Sequence, residues 1–162
     1  MSVLDDPNFP LDLADQESLL RSQRECVLIW RTRDGWPVGT TMTYLWRDEK
    51  IWMTCGGQRP RVAAIRRDDR VCVIVSGQGA GKASAAVTIK GRCGLHEDAV
   101  TKKWFFDQLA HSAFPDSEPA RQGMLSLLSS PDRAVLSVTA VNRFSYDGAK
   151  MGQALMKAIQ AM

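Results

Sequence analysis

The sequence predicts a mainly β domain with helical excursions, about six antiparallel strands in all. Three observations carry this reading. Apolar, β-favouring runs in the first half are separated by hairpin turns, a helical insertion spans about 97–130, and an alternating segment near the end leads into an amphipathic helix. At 162 residues and 44% hydrophobic content, the chain has the size and composition of one domain, 1–162, with one core.

A polar, helix-like lead occupies residues 11–24. The run 26–32 then ends at Arg33-Asp34-Gly35, and Asp-Gly between two β-favouring runs is a strong hairpin signal. The next run, 38–46, is dense in Thr, Tyr and Trp, breaks at the charged turn Arg47-Asp48-Glu49-Lys50, and resumes over 51–55. Gly56-Gly57 stops this third strand, and Val62 and Ile65, three apart, predict a short helix over 59–67. Strands return over 71–75 and 85–93, joined by a mobile connection through Gly77, Gly79 and Gly81.

The insertion reads as two helices. One, over 97–114, carries Val100, Trp104, Phe105 and Leu109; the other, over 119–128, turns Met124, Leu127 and Leu128 inward, with Ser117 as cap and Pro119 in the first turn. Residues 134–141 alternate as a closing strand. Asp147 caps a final helix over about 147–161 with Met151, Leu155, Ala158, Ile159 and Met162 on one face.

Composition excludes several function classes. Residues 1–10 carry Asp5, Asp6 and two prolines where a signal peptide would have a basic end and an apolar run, and no stretch approaches the roughly 18–20 apolar residues of a membrane span. A soluble, cytoplasmic protein without a membrane partner is expected. The net charge of +3 is too small to imply a nucleic-acid partner, but Arg59, Arg61, Arg66, Arg67 and Arg70 crowd into twelve residues and mark a local anion site. The four cysteines, Cys26, Cys55, Cys72 and Cys93, form no CxxC pair and read as buried reduced thiols. His96 and His111 stand fifteen residues apart, so no metal is expected.

Residues 76–84 resemble a phosphate-binding loop only superficially. The first glycine of GxxxxGK[ST] would fall at Ser76, and the Ser/Thr slot holds Ala83. No GxSxG elbow occurs, and two isolated histidines leave little for a nucleophilic triad, so no catalytic side chain is assigned. The sparsity suggests that a bound cofactor does the reacting. Trp30, Trp36, Trp46, Trp52 and Trp104 read as core or dimer-interface residues before cofactor contacts.

The stretch 54–71, Thr-Cys-Gly-Gly-Gln-Arg-Pro-Arg-Val-Ala-Ala-Ile-Arg-Arg-Asp-Asp-Arg-Val, resembles the signature of the flavin and deazaflavin oxidoreductases related to pyridoxamine 5'-phosphate oxidase. In that family a strand ends in a small polar loop, and a basic pair opens a helix that ends in Leu-Arg-Arg-Asp-Pro-Arg-Val. Here Arg59 and Arg61 take the basic places, Ile65 the leucine place, and Asp69 departs from the proline. The Asp34-Gly35-Trp36-Pro37 turn, the 46–52 hairpin, Ile89-Lys90-Gly91-Arg92-Cys93 and Tyr146-Asp147-Gly148 match further segments in order, from about 25 to 151.

The resemblance implies a split β-barrel of about six antiparallel strands, a homodimer, and a flavin-type ring lying against strands two and three. Its implied binding residues are Thr40, Thr41 and Met42, then Met53 and Thr54, then Arg59 and Arg61 for the phosphate. A helix start offers free amides and a favourable dipole to a phosphate, and Arg adds a charged bidentate fork. The bland alternative is that both arginines solvate a loop. The Arg cluster favours a deazaflavin (coenzyme F-420), with its anionic tail, over FMN. The function implied is hydride transfer between that cofactor and a small organic substrate; the alternative is a non-catalytic flavin- or haem-binding protein.

Overall fold

The computed structural model describes residues 9–78 and 83–161. Six antiparallel strands form the frame: β1 (Glu25–Arg31), β2 (Pro37–Arg47), β3 (Lys50–Gly56), β4 (Arg70–Gln78), β5 (Ser84–His96) and β6 (Arg133–Asp147). They close in the order β1-β2-β3-β6-β5-β4, with β4 returning to pair with β1. This is the six-stranded antiparallel barrel that the family resemblance implied.

Alternation along the strands sends one side chain in two to the interior. Leu28, Met53, Val73, Val87, Ile89 and Leu136 are almost fully enclosed there. The two-residue turn between β2 and β3 puts Asp48 (φ 50°) and Glu49 (φ 56°) in left-handed conformation, the turn that matches strand twist, without any glycine.

Helix α1 (Leu13–Ser22) is more than a polar lead. Asp12 caps it, accepting from the Asp15 amide at 2.8 Å. Leu19 and Leu20 are buried with the barrel core, and the Tyr44 hydroxyl donates to the Leu20 carbonyl at 2.7 Å. Trp46 Nε1 donates to Glu17 at 2.8 Å, and the Arg143 guanidinium lies over the Trp46 ring while pairing with Glu17.

Between β3 and β4 lies α2 (Pro60–Arg67), whose Val62 and Ile65 are buried as their spacing predicted, and the insertion forms α3 (Ala99–Ala113) and α4 (Glu118–Leu128). Phe105, Phe106, Leu109 and Leu128 cover Leu45, Trp52 and Val135 on the outside of the barrel. Leu127, expected inward, is instead 78% exposed, and Val100 on α3 is 81% exposed. With Leu128 and Met124 set inward, one step of about 100° carries Leu127 to the solvent side.

Helix α5 (Gly148–Gln160) starts where Asp147 accepts from the Ala149 and Lys150 amides. None of its described residues is buried. The two central strands run longer than their apolar patterns: Gly77 lies within β4, paired with Ala85, and not in a connection, while Gly79 and Gly81 fall outside the described residues. All four cysteines are free thiols, and Cys72 alone is only half-buried, on the outer face of β4. No helix is long and apolar enough to cross a membrane among the described residues.

Candidate functional site

The β2–β3 ladder is short. It joins only Tyr44–Arg47 to Lys50–Met53, after which the strands part. Pro37–Thr43 go on pairing with β1, and Thr54–Gly56 with β6, so both strands present an edge without a strand partner among the described residues. Backbone N–H and C=O groups along such edges seek partners, which makes the opening a place for a polar, planar ligand.

The site residues read from the sequence divide over this opening. Thr40 is half-buried and Thr41 exposed on the β2 side. Met42 and Met53 point into the barrel core, 7% and 0% exposed, so their side chains are closed to a ligand outside the barrel, and their main chain lies in the ladders to β1 and β6. Thr54 turns its hydroxyl to the Ala134 carbonyl at 2.9 Å, tying the β3 edge to β6.

Past β3 the chain turns sharply into α2. Gly57 donates its amide to the Asp132 carbonyl at 2.6 Å, and a Cβ there would stand 2.5 Å from that oxygen, so only glycine allows the approach. Arg59 is the N-cap residue of α2 and makes no side-chain cap bond; Pro60 follows in the first turn. Arg61 lies over the Trp30 ring, 5.8 Å from its centroid.

A third arginine joins the pair. Arg133 opens β6 directly opposite Gly56 in the register. Burial pushes the Cys55 thiol up, and the guanidiniums of Arg61, Arg133 and Arg59 act against that, pulling it down. The buried Nε atoms of Arg61 and Arg133 have no hydrogen-bond partner among the described residues. Buried donors without partners are costly, so a pair of them on one rim points to an acceptor supplied from outside, and a phosphate fits. Sequence reasoning missed Arg133, since nothing near it in the chain signals that β6 returns beside β3.

The remaining arginines of the cluster are engaged elsewhere. Arg66 pairs with Glu97, and Arg67 donates to the Arg31 carbonyl at 2.8 Å. Asp68 and Asp69, next to them in the chain, hold Arg70 and Arg92 at 2.6 Å each. No group of three His, Cys, Asp or Glu side chains able to hold a metal occurs among the described residues. Burial pushes the Cys26 and Cys93 thiols up to about 12, which leaves them protonated and unreactive at neutral pH.

A family model described as pyridoxamine 5'-phosphate oxidase matches residues 14–144, from α1 into β6. The chain belongs to that family. No curated protein matches it. Among solved structures, this family member is similar to a conserved hypothetical protein from Mycobacterium tuberculosis, at TM-score 0.72 and 20% identity over 88% of each chain. A protein described as FAD-binding, from Mesorhizobium loti, matches at TM-score 0.63 and 20% identity, over 83% of this chain and 94% of that one. A protein named F420 Reductase matches at TM-score 0.58 and 19% identity, over 78% and 94%. At such identities these structures share the fold of this family member.

Proposed function

We propose that this family member is an oxidoreductase that holds a deazaflavin (coenzyme F-420), with FMN as the alternative, across the split between β2 and β3, and transfers a hydride between it and a small organic substrate. The observation that carries the reading is the pair of partnerless guanidinium Nε atoms on Arg61 and Arg133, beside two open strand edges. Solved relatives named as an F420 reductase and as a FAD-binding protein support a flavin-type group.

When bound, the cofactor would supply the hydride chemistry, which needs no titrating side chain from the protein. The chain's own contribution is position and field. Arg59, Arg61 and Arg133 neutralise a phosphate at the start of α2, Trp30 fixes the plane of the Arg61 guanidinium, and Thr54 stays bonded to β6 so that the β3 edge keeps its place. Alternation along the ladders turns the main-chain groups of Thr41 and Thr54 toward the split, where they would meet the polar rim of a ring and stabilise negative charge that develops on it, while those of Thr40 and Met42 face β1 and that of Met53 faces β6.

The protein acts in the cytoplasm as a homodimer. Val27, Val38 and Phe144 are large apolar side chains left exposed on the outside of the barrel, and a second copy would cover them. Deazaflavin is preferred because a hollow lined by Arg31, Arg66, Arg67, Arg70 and Arg92 against Asp68 and Asp69 keeps an excess of positive charge for an anionic tail beyond the phosphate.

The test is the absorbance spectrum and mass of what co-purifies, repeated after adding FMN and deazaflavin separately. Reduced cofactor should then be oxidised by an organic acceptor. Tight binding without turnover across a panel of acceptors would instead assign a storage or sensing role.

A further inference from the structure

A second cavity, of about 540 Å³, opens on the outer face of the barrel where β1, β4 and β5 meet. Its floor is apolar: Ile29, Trp30, Pro37, Val71, Cys72 and Val141. Its rim is cationic, from Arg31, Lys90, Arg70 and Arg92. Two of these charges are already answered, because Asp68 holds Arg70 through both carboxylate oxygens and Asp69 holds Arg92. The side chains of Arg31 and Lys90 make no ion pair or hydrogen bond among the described residues. Lys90 stands directly opposite Cys72 in the β4–β5 register, so its ammonium is a neighbour of the apolar floor, and its charge pulls the Cys72 thiol down against burial.

Apolar walls under two cations that stand in no ion pair among the described residues describe an amphiphilic anion. We propose that this groove is a binding site for an apolar organic carboxylate, its body on Trp30, Ile29, Cys72 and Val141 and its carboxylate between Arg31 and Lys90. Burial of the body supplies affinity and the cations supply selectivity for a negative charge. Trp30 is shared: it lines the groove and carries Arg61 over its ring, so the groove adjoins the split. The carboxylate class is therefore also the class from which the hydride acceptor comes. That last step rests on the proposed function, whereas the binding site does not.

The test is calorimetry on the whole chain without added cofactor, using naphthalene-2-carboxylate and its uncharged counterpart naphthalene-2-methanol. The carboxylate should bind at one site per chain, about tenfold or more tighter than the alcohol, the difference expected of hydrogen bonds to charged groups. Lys90→Gln and Arg31→Gln should each lose much of that preference while leaving the alcohol unchanged. Val141→Trp fills the groove from a position that is 71% exposed, so the fold should hold, as a melting curve will show, while both compounds lose affinity. Equal affinity for the two compounds, binding unaffected by Val141→Trp, or no binding at all would overturn the site. Because cofactor is left out, such a failure is distinct from failure of the split to bind a flavin.

Discussion

Three arginines define the polar rim of the split, and each asks for a different substitution. Arg61 joins the Trp30 ring on one side and leaves Nε without a partner among the described residues, so Arg61→Ala removes the charged donor proposed for the phosphate. Hydrogen bonds to charged groups contribute roughly 1.5–3 kcal/mol, so affinity for FMN and deazaflavin should fall about ten- to a hundredfold, with Arg133→Ala alike. Arg66→Ala is the control, because its partner is Glu97 and its side chain is more than half exposed. Titration at two salt concentrations checks this; a larger loss from Arg66→Ala than from Arg61→Ala would place the phosphate elsewhere. Cys55 is the contrasting case. Its side chain is buried in the core, so Cys55→Ser should lower the melting temperature by burying a hydroxyl while cofactor affinity stays within about tenfold.

Among elements, α1 and α5 have opposite fates. Both are short and capped by an aspartate, Asp12 and Asp147, yet α1 delivers Leu19 and Leu20 to the core while α5 buries nothing. The Tyr44 hydroxyl bond to the Leu20 carbonyl holds α1 at the barrel end. Tyr44→Phe keeps the ring but leaves a buried carbonyl unpartnered, a cost of about 1–3 kcal/mol. Urea unfolding should show the loss, with the midpoint lowered and the slope unchanged. Cofactor affinity should be untouched, because the split begins beyond Tyr44 in the other direction along β2.

For the whole molecule, the exposed apolar surface is the fact to be explained. Phe144 is 50% exposed on β6, and on α5 Met156 is 56% and Ile159 is 55% exposed. Side chains of this size gathered on one molecule are costly to leave in water, and a two-fold partner is the economical cover. Light scattering at micromolar concentration should give twice the chain mass. Phe144→Asp should shift the population toward single chains, and an unchanged monomer in the unsubstituted protein would refute the assembly.

The hairpins were legible because their signals are local. Asp34-Gly35 and Arg47-Asp48-Glu49-Lys50 sit between β-favouring runs, and turn geometry depends on only a few residues; Gly35 indeed adopts φ 94°. The caps at Ser117 and Asp147 were legible for the same reason. What tertiary structure alone decided was everything that depends on strands distant in the chain. Arg133 became a neighbour of Arg61 only when β6 paired with β3, eighty positions away at Thr54–Ala134. Met42 and Met53 turned inward, and Leu127 outward, because the facing of a residue is set by what its element packs against. The parting of β2 from β3 after Tyr44 has no mark in either strand, since both keep their β-favouring composition to the end. Local sequence sets turns and caps through short-range sterics and hydrogen bonds; closure of the barrel sets which edges stay open and which charges meet.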